Sequence, residues 1–189
     1  MMMARLKQET KLYHEQLEAN PYSLAMSDGT LTLEMYSEML QRFYGFYRPI
    51  EARLQQFAPI DIHARLKTPL LEQDLRALGY AVETVALCDA IPQIDTPHRA
   101  LGSLYVLEGA TLGGQIISRQ LKRFELNPTN GASFFNSYGE RVGDMWKAFS
   151  AAANAYGETH GHEDEIVAAA CDTFVTFERW LTRVPATTL

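Results

Sequence analysis

Leu33, Tyr36, Leu40, Phe43, Tyr47, Ile50, Leu54 and Phe57 recur at alternating steps of three and four residues. That spacing puts all of them on one face of an α-helix about seven turns long. A chain that must bury so long an apolar stripe needs other helices to lay against it, and the remaining sequence supplies them. Ile166, Ala170, Thr173, Phe174, Phe177 and Leu181 form another inward face in a helix that starts near Glu163. A third helix runs from about Arg5 to Ala19 and stops at Asn20-Pro21, because the residue before a proline is steered away from helical geometry. No stretch alternates apolar and polar residues as a half-exposed strand does. The expectation is an all-α fold, a multi-helix bundle forming a single domain over residues 1–189.

Local signals place the other elements. Pro49 lacks an N–H and crowds the carbonyl of Gly45, so a bend is expected in the long helix. Thr68-Pro69 and Thr96-Pro97 each read as a capping hydroxyl followed by proline at the first helical position, and Gly79 as a helix end. The helix begun at Thr96 should continue to about Phe124, where Asn127-Pro128-Thr129-Asn130-Gly131 forces a turn. A further helix is expected from about Glu140 to Tyr156.

Composition excludes several classes. No run of apolar residues is long enough for a membrane span, and MMMARLKQET turns charged before any apolar signal core develops. With 17 basic and 23 acidic residues the net charge is −6, which argues against nucleic-acid binding by a basic face. Cys88 and Cys171 show no paired or metal-type spacing, so a reducing, cytoplasmic setting is expected.

Two segments carry chemistry. In LEGATLGGQII, Gly109, Gly113 and Gly114 fall within six residues of a helix. Each costs about 1 kcal/mol relative to alanine, or roughly 3 kcal/mol together. Missing Cβ atoms let something approach the backbone closely: either another helix or a flat ligand. In RLKQETKLYHEQLE, His14 shares a helix face with Lys7, Thr10, Leu17 and Glu18. A helical histidine serves either as a bonded, partly buried polar residue or as an iron ligand. Lys7 lies about 10 Å before it along the axis, at 1.5 Å per residue, within reach of a carboxylate at the rim of a porphyrin.

The L-K-x-x-T-x-x-x-H and L-E-G-x-x-L-G-G segments, in this order and separation, resemble the two signatures of heme oxygenases. The glycine segment is most similar to that of the bacterial branch, which includes enzymes that accompany phytochrome-type photoreceptors. QRFYGFYRPIEARL and FVTFERW also fit the family's pattern, so the resemblance extends from about Leu6 to Trp180. It implies a heme between a proximal N-terminal helix and a glycine-kinked distal helix. His14 would be the iron ligand and Lys7 a propionate anchor, with Thr10, Lys11 and Glu18 along the same wall. Gly109, Gly113 and Gly114 would lie over the distal face and position the chemistry. Tyr105 and Lys147 would meet propionates, and Phe174 and Phe177 would pack on the macrocycle.

The implied activity is oxygen- and electron-dependent cleavage of heme to biliverdin, carbon monoxide and ferrous iron, with heme as both substrate and cofactor. The chain has no G-x-G-x-x-G and no Cys cluster, so its electrons would come from a separate reductase or ferredoxin. A bilin-binding photoreceptor would be a suitable acceptor of the product, and a monomer is the default state. The sequence departs from the animal-type pattern at Ala110, where an aspartate orders distal water. Thr111, Gln115 or freed carbonyls would then have to hold that water. The alternative is a heme-binding or heme-transfer protein without turnover. Thr159-His160-Gly161-His162-Glu163-Asp164 reads as a solvated helix start lacking a third metal ligand, and His63 and His98 read as surface residues near helix starts.

Overall fold

The computed structural model describes residues 1–183, apart from the side chains of Gln115 and Ile116. Ten α-helices follow one another among the described residues: α1 (Met2–Glu9), α2 (Lys11–Glu18), α3 (Pro21–Ser27), α4 (Leu33–Phe57), α5 (Thr68–Ala77), α6 (Pro97–Gly109), α7 (Gly114–Leu121), α8 (Ser133–Asn136), α9 (Val142–His160) and α10 (Glu163–Thr182). No β-strand occurs among those residues, as the periodicity requires.

The apolar stripe of α4 is the centre of the core. Tyr36, Leu40, Tyr47, Ile50 and Leu54 are fully buried, against α5 on one side and α6 and α10 on the other. Helix α4 runs through Pro49. The carbonyl of Gly45, which proline leaves without its helical donor, instead accepts the backbone N–H of Cys88 at 2.8 Å. Gly45 is also where α10 comes closest. A Cβ there would stand 2.7 Å from the Trp180 ring, whose Nε1–H donates to the Arg42 carbonyl at 2.6 Å.

Helices α6 and α10 form the most extensive helix pair. They approach over Gly102, where a Cβ would stand 2.9 Å from the backbone nitrogen of Ala170. At the next residue of α6, the hydroxyls of Ser103 and Thr173 pair at 2.9 Å, which satisfies both inside the core. Helix α10 also packs against α1 and α2, so it is the wall shared by the His14 helix and the glycine helix.

Three expectations change. The N-terminal helix is interrupted at Thr10 (φ −92°, ψ −1°), where the hydroxyl bonds back to the Leu6 carbonyl at 2.8 Å, a local bond that bends helices. Thr68 is not a capping hydroxyl. The Glu51 carboxylate reaches over from α4 and accepts the N–H groups of Lys67 (2.6 Å) and Thr68 (3.0 Å) at the start of α5. The glycine helix is not continuous to Phe124: α6 ends at Gly109, Ala110–Gly113 tighten into a 3₁₀ turn, and α7 resumes at Gly114. Thr96 does cap α6, accepting from the Arg99 N–H at 3.2 Å.

Candidate active site

The three glycines serve two different purposes. A Cβ on Gly114 would stand 3.2 Å from the carbonyl carbon of Phe135 and closer still to its oxygen, so the missing methyl there is explained by backbone packing against α8. That short helix is held rigidly. Asp74 of α5 accepts from the Ser133 N–H and Phe134 N–H, both at 2.8 Å, and from the Ser133 hydroxyl at 2.7 Å. At Gly109 and Gly113, among the described residues and beyond the adjoining stretch of backbone, no atom lies within 4 Å of where a Cβ would stand. Packing does not explain those two, and the surface they leave is bare main chain in a tightened turn.

His14 presents a half-exposed imidazole on α2. Its Nδ1 lies 3.5 Å from a Glu18 carboxylate oxygen, so Nε2 is the nitrogen not engaged by Glu18. The ring meets the edge of Phe174 on α10, with centroids 5.8 Å apart. Lys7 and Lys11 are exposed, and Lys11 lies 3.8 Å from Glu15. Thr10 does not line an open wall, since it is buried with its hydroxyl on Leu6. Phe177 stacks on Phe46 at 4.3 Å and also meets Phe43 and Tyr47, so its faces are taken by protein rings. Tyr105 is half-buried beside Trp146 of α9, and Lys147, next to that tryptophan, is exposed near Asp144.

Sequence reasoning missed a buried polar cluster behind the glycine turn. Glu108, in the L-E-G segment itself, accepts from Arg65 at 2.6 Å and from the Tyr138 hydroxyl at 2.6 Å while almost fully buried. Lys67 donates to the Arg65 carbonyl at 2.9 Å, and its ammonium lies 3.6 Å from the centre of the Tyr138 ring. Burial lowers the Lys67 ammonium to a pKa of about 8, against the opposing pull of Glu108 and Glu51. Glu51 is raised, because burial outweighs its hydrogen bonds. The available signal was a glutamate at position 51 on an otherwise apolar face of α4, and another within LEG; neither points to its partner.

A cavity about the size of one water molecule adjoins this cluster, lined by Tyr47, Lys67, Ala110, Thr111 and Gly114 among others. The Tyr47 hydroxyl is buried and has no hydrogen-bond partner among the described residues, an arrangement that a bound water relieves. The Thr111 hydroxyl is already committed to the Glu108 carbonyl at 2.7 Å. The Gln115 side chain lies outside the described residues. The site thus offers an imidazole on one helix, bare main chain on another, and an orphaned phenol behind it.

Comparisons with known proteins bear on the family and the fold. The family model described as heme oxygenase matches residues 1–183. A heme oxygenase of Xanthomonas campestris pv. campestris is 25% identical over 162 residues, which cover 83% of this chain and 94% of the relative. Among solved structures, heme oxygenase from Leptospira interrogans superposes with a TM-score of 0.79 at 17% identity, covering 97% of this chain and 99% of that one. The NO- and CO-bound heme oxygenase of Neisseria meningitidis gives 0.75 at 22% identity, covering 96% and 90%. Those two likenesses carry the fold. The match along residues 1–183 carries more: the chain belongs to the heme oxygenase family, enzymes of heme degradation.

Proposed function

We propose that the chain binds heme between α2 and the α6–α7 turn and cleaves it to biliverdin, carbon monoxide and ferrous iron. The observation that carries this reading is the open space over Gly109 and Gly113, which no packing partner among the described residues fills. Dioxygen and electrons from a separate reductase or ferredoxin are required, because the chain holds no electron-carrying motif of its own. Heme, as substrate, supplies the redox-active iron. His14 Nε2 is the ligand, left unengaged by the Glu18 contact on Nδ1. Lys7, Tyr105 and Lys147 hold the propionates, and Phe174 supports the imidazole edge-on.

On the opposite side, the main chain at Gly109 and Gly113 fixes the heme face at close range, which is catalysis by positioning. The Tyr47 hydroxyl holds a water in the adjoining cavity and takes the place of an acid at Ala110. Lys67, with its lowered pKa, lines the same cavity and can supply a proton to that water. The protein works as a monomer in a reducing cytoplasm, where Cys88 and Cys171 stay free. A bilin-binding photoreceptor is a suitable recipient of the product.

The test is single-turnover spectroscopy of the hemin complex with a reductant and oxygen. Bleaching of the heme band with appearance of a biliverdin-type pigment is expected. A persistent heme band would leave a heme-binding or heme-transfer protein. His14→Ala should lose the histidine-ligated spectrum, and an unchanged spectrum would show that another residue holds the iron.

A further inference from the structure

We propose that His98, His162 and Glu165 form a site for a divalent first-row transition cation of the zinc type, independent of His14. The sequence separates His98 from the other two by more than sixty positions and marks all three as parts of helix starts. The tertiary structure brings the three together. The starts of α6 and α10 lie side by side, and one donor atom from each residue falls within 4.8 Å of the other two. In a tetrahedral zinc site with bonds of 2.0–2.1 Å, donors stand roughly 3.3 Å apart. The difference is within the reach of side-chain rotation at His162, which is exposed.

Both anchoring residues are already oriented. The Tyr156 hydroxyl lies 2.9 Å from His98 Nδ1, which leaves Nε2 free. A polar partner on the other ring nitrogen is how proteins fix a metal-binding imidazole. Thr96 donates to Glu165 Oε1 at 2.8 Å, so Oε2 is the oxygen left facing His162, 3.7 Å from its Nδ1. The two imidazoles stack with centroids 3.9 Å apart. The surrounding charged and titratable groups include Asp95, which pairs with Arg99, and His160, which lies against Tyr156. Arg99 lies 3.5 Å from Glu165 Oε1, the oxygen that Thr96 also holds, and Arg5 engages Glu163 and Asp164. Two imidazoles and one carboxylate leave a fourth position for water, and nitrogen donors select zinc-like cations over magnesium or calcium. A bound cation would tie the start of the glycine-bearing α6 to the start of α10.

The full-length, heme-free chain, stripped with a chelator, is titrated with Co²⁺ by calorimetry and visible absorption. One saturable equivalent with a four-coordinate cobalt spectrum is expected. His98→Ala, His162→Ala and Glu165→Gln should each weaken binding at least about tenfold. His160→Ala and His14→Ala should not, and the latter separates this site from the heme reading. Zn²⁺ should raise the Tm of the parent but not of His162→Ala, which also verifies that the variant folds. Absence of saturable binding, or undiminished binding in His98→Ala or His162→Ala, overturns the proposal.

Discussion

Alanine at each of the three clustered glycines should separate packing from ligand space. At Gly114 the added methyl meets the Phe135 main chain, with the carbonyl carbon 3.2 Å and Cα 3.4 Å away. Main chain cannot rotate aside as a flexible side chain can, and α8 is pinned by three hydrogen bonds to Asp74. Overpacking against fixed main chain falls in the upper part of the usual range, about 2–3 kcal/mol, partly offset by roughly 1 kcal/mol of better helix propensity. A net loss of about 1–2 kcal/mol corresponds to a fall in Tm of roughly 2–8 °C for a chain of this size. At Gly109 and Gly113 the methyl meets nothing, so the propensity gain stands alone and the heme-free protein should hold its Tm or rise by a few degrees. The same two substitutions should weaken hemin binding and slow single turnover, because the methyl occupies the space assigned to the heme. Thermal melts of the heme-free variants and hemin titrations measure the two effects separately. The reasoning is refuted if Gly113→Ala destabilises the heme-free chain as much as Gly114→Ala does. It is equally refuted if Gly109→Ala and Gly113→Ala bind and turn over hemin like the parent.

Three further perturbations probe the scaffold. Glu108→Ala strands the Arg65 guanidinium in the core and should cost about 3–5 kcal/mol in urea unfolding, whereas a loss below about 1 kcal/mol would mean that Arg65 finds water. Lys67 has its folded-state pKa depressed to about 8 from 10.5, so its charged form opposes folding below pH 8. Between pH 8 and 10.5 the unfolded chain holds the extra proton, and the parent should gain stability relative to Lys67→Met by up to about 1.4 kcal/mol per pH unit. A flat difference over that range would remove the assigned shift. Gly45→Ala pushes a methyl into the Trp180 ring and the Ala86 carbonyl and should lower the Tm by several degrees, with loss of the native tryptophan fluorescence.

Much of the fold was legible because helical periodicity is local. The stripes on α4 and α10 announce their buried faces without knowledge of any partner, and Thr96-Pro97 announces the start of α6 through a hydrogen bond only three residues long. The break at Thr10 and the role of Glu51 were not legible. The break turns on one hydroxyl choosing a carbonyl four residues back, and the role of Glu51 on a carboxylate reaching the backbone sixteen positions away. The candidate site divides in the same way. The pairing of a His14 motif with a glycine motif was readable along the chain, while the buried Glu108–Arg65–Tyr138 cluster was not.

By itself, then, the order of residues determined an all-α bundle, a segment with three missing side chains, and the family to which the chain belongs. Only the tertiary structure decided that Gly114 is spent on backbone packing while Gly109 and Gly113 remain open, and that His98 meets His162 and Glu165. The reason is physical. A missing Cβ or a lone imidazole is a local fact, but what occupies the space beside it depends on segments distant in sequence, brought there by burial of apolar faces elsewhere.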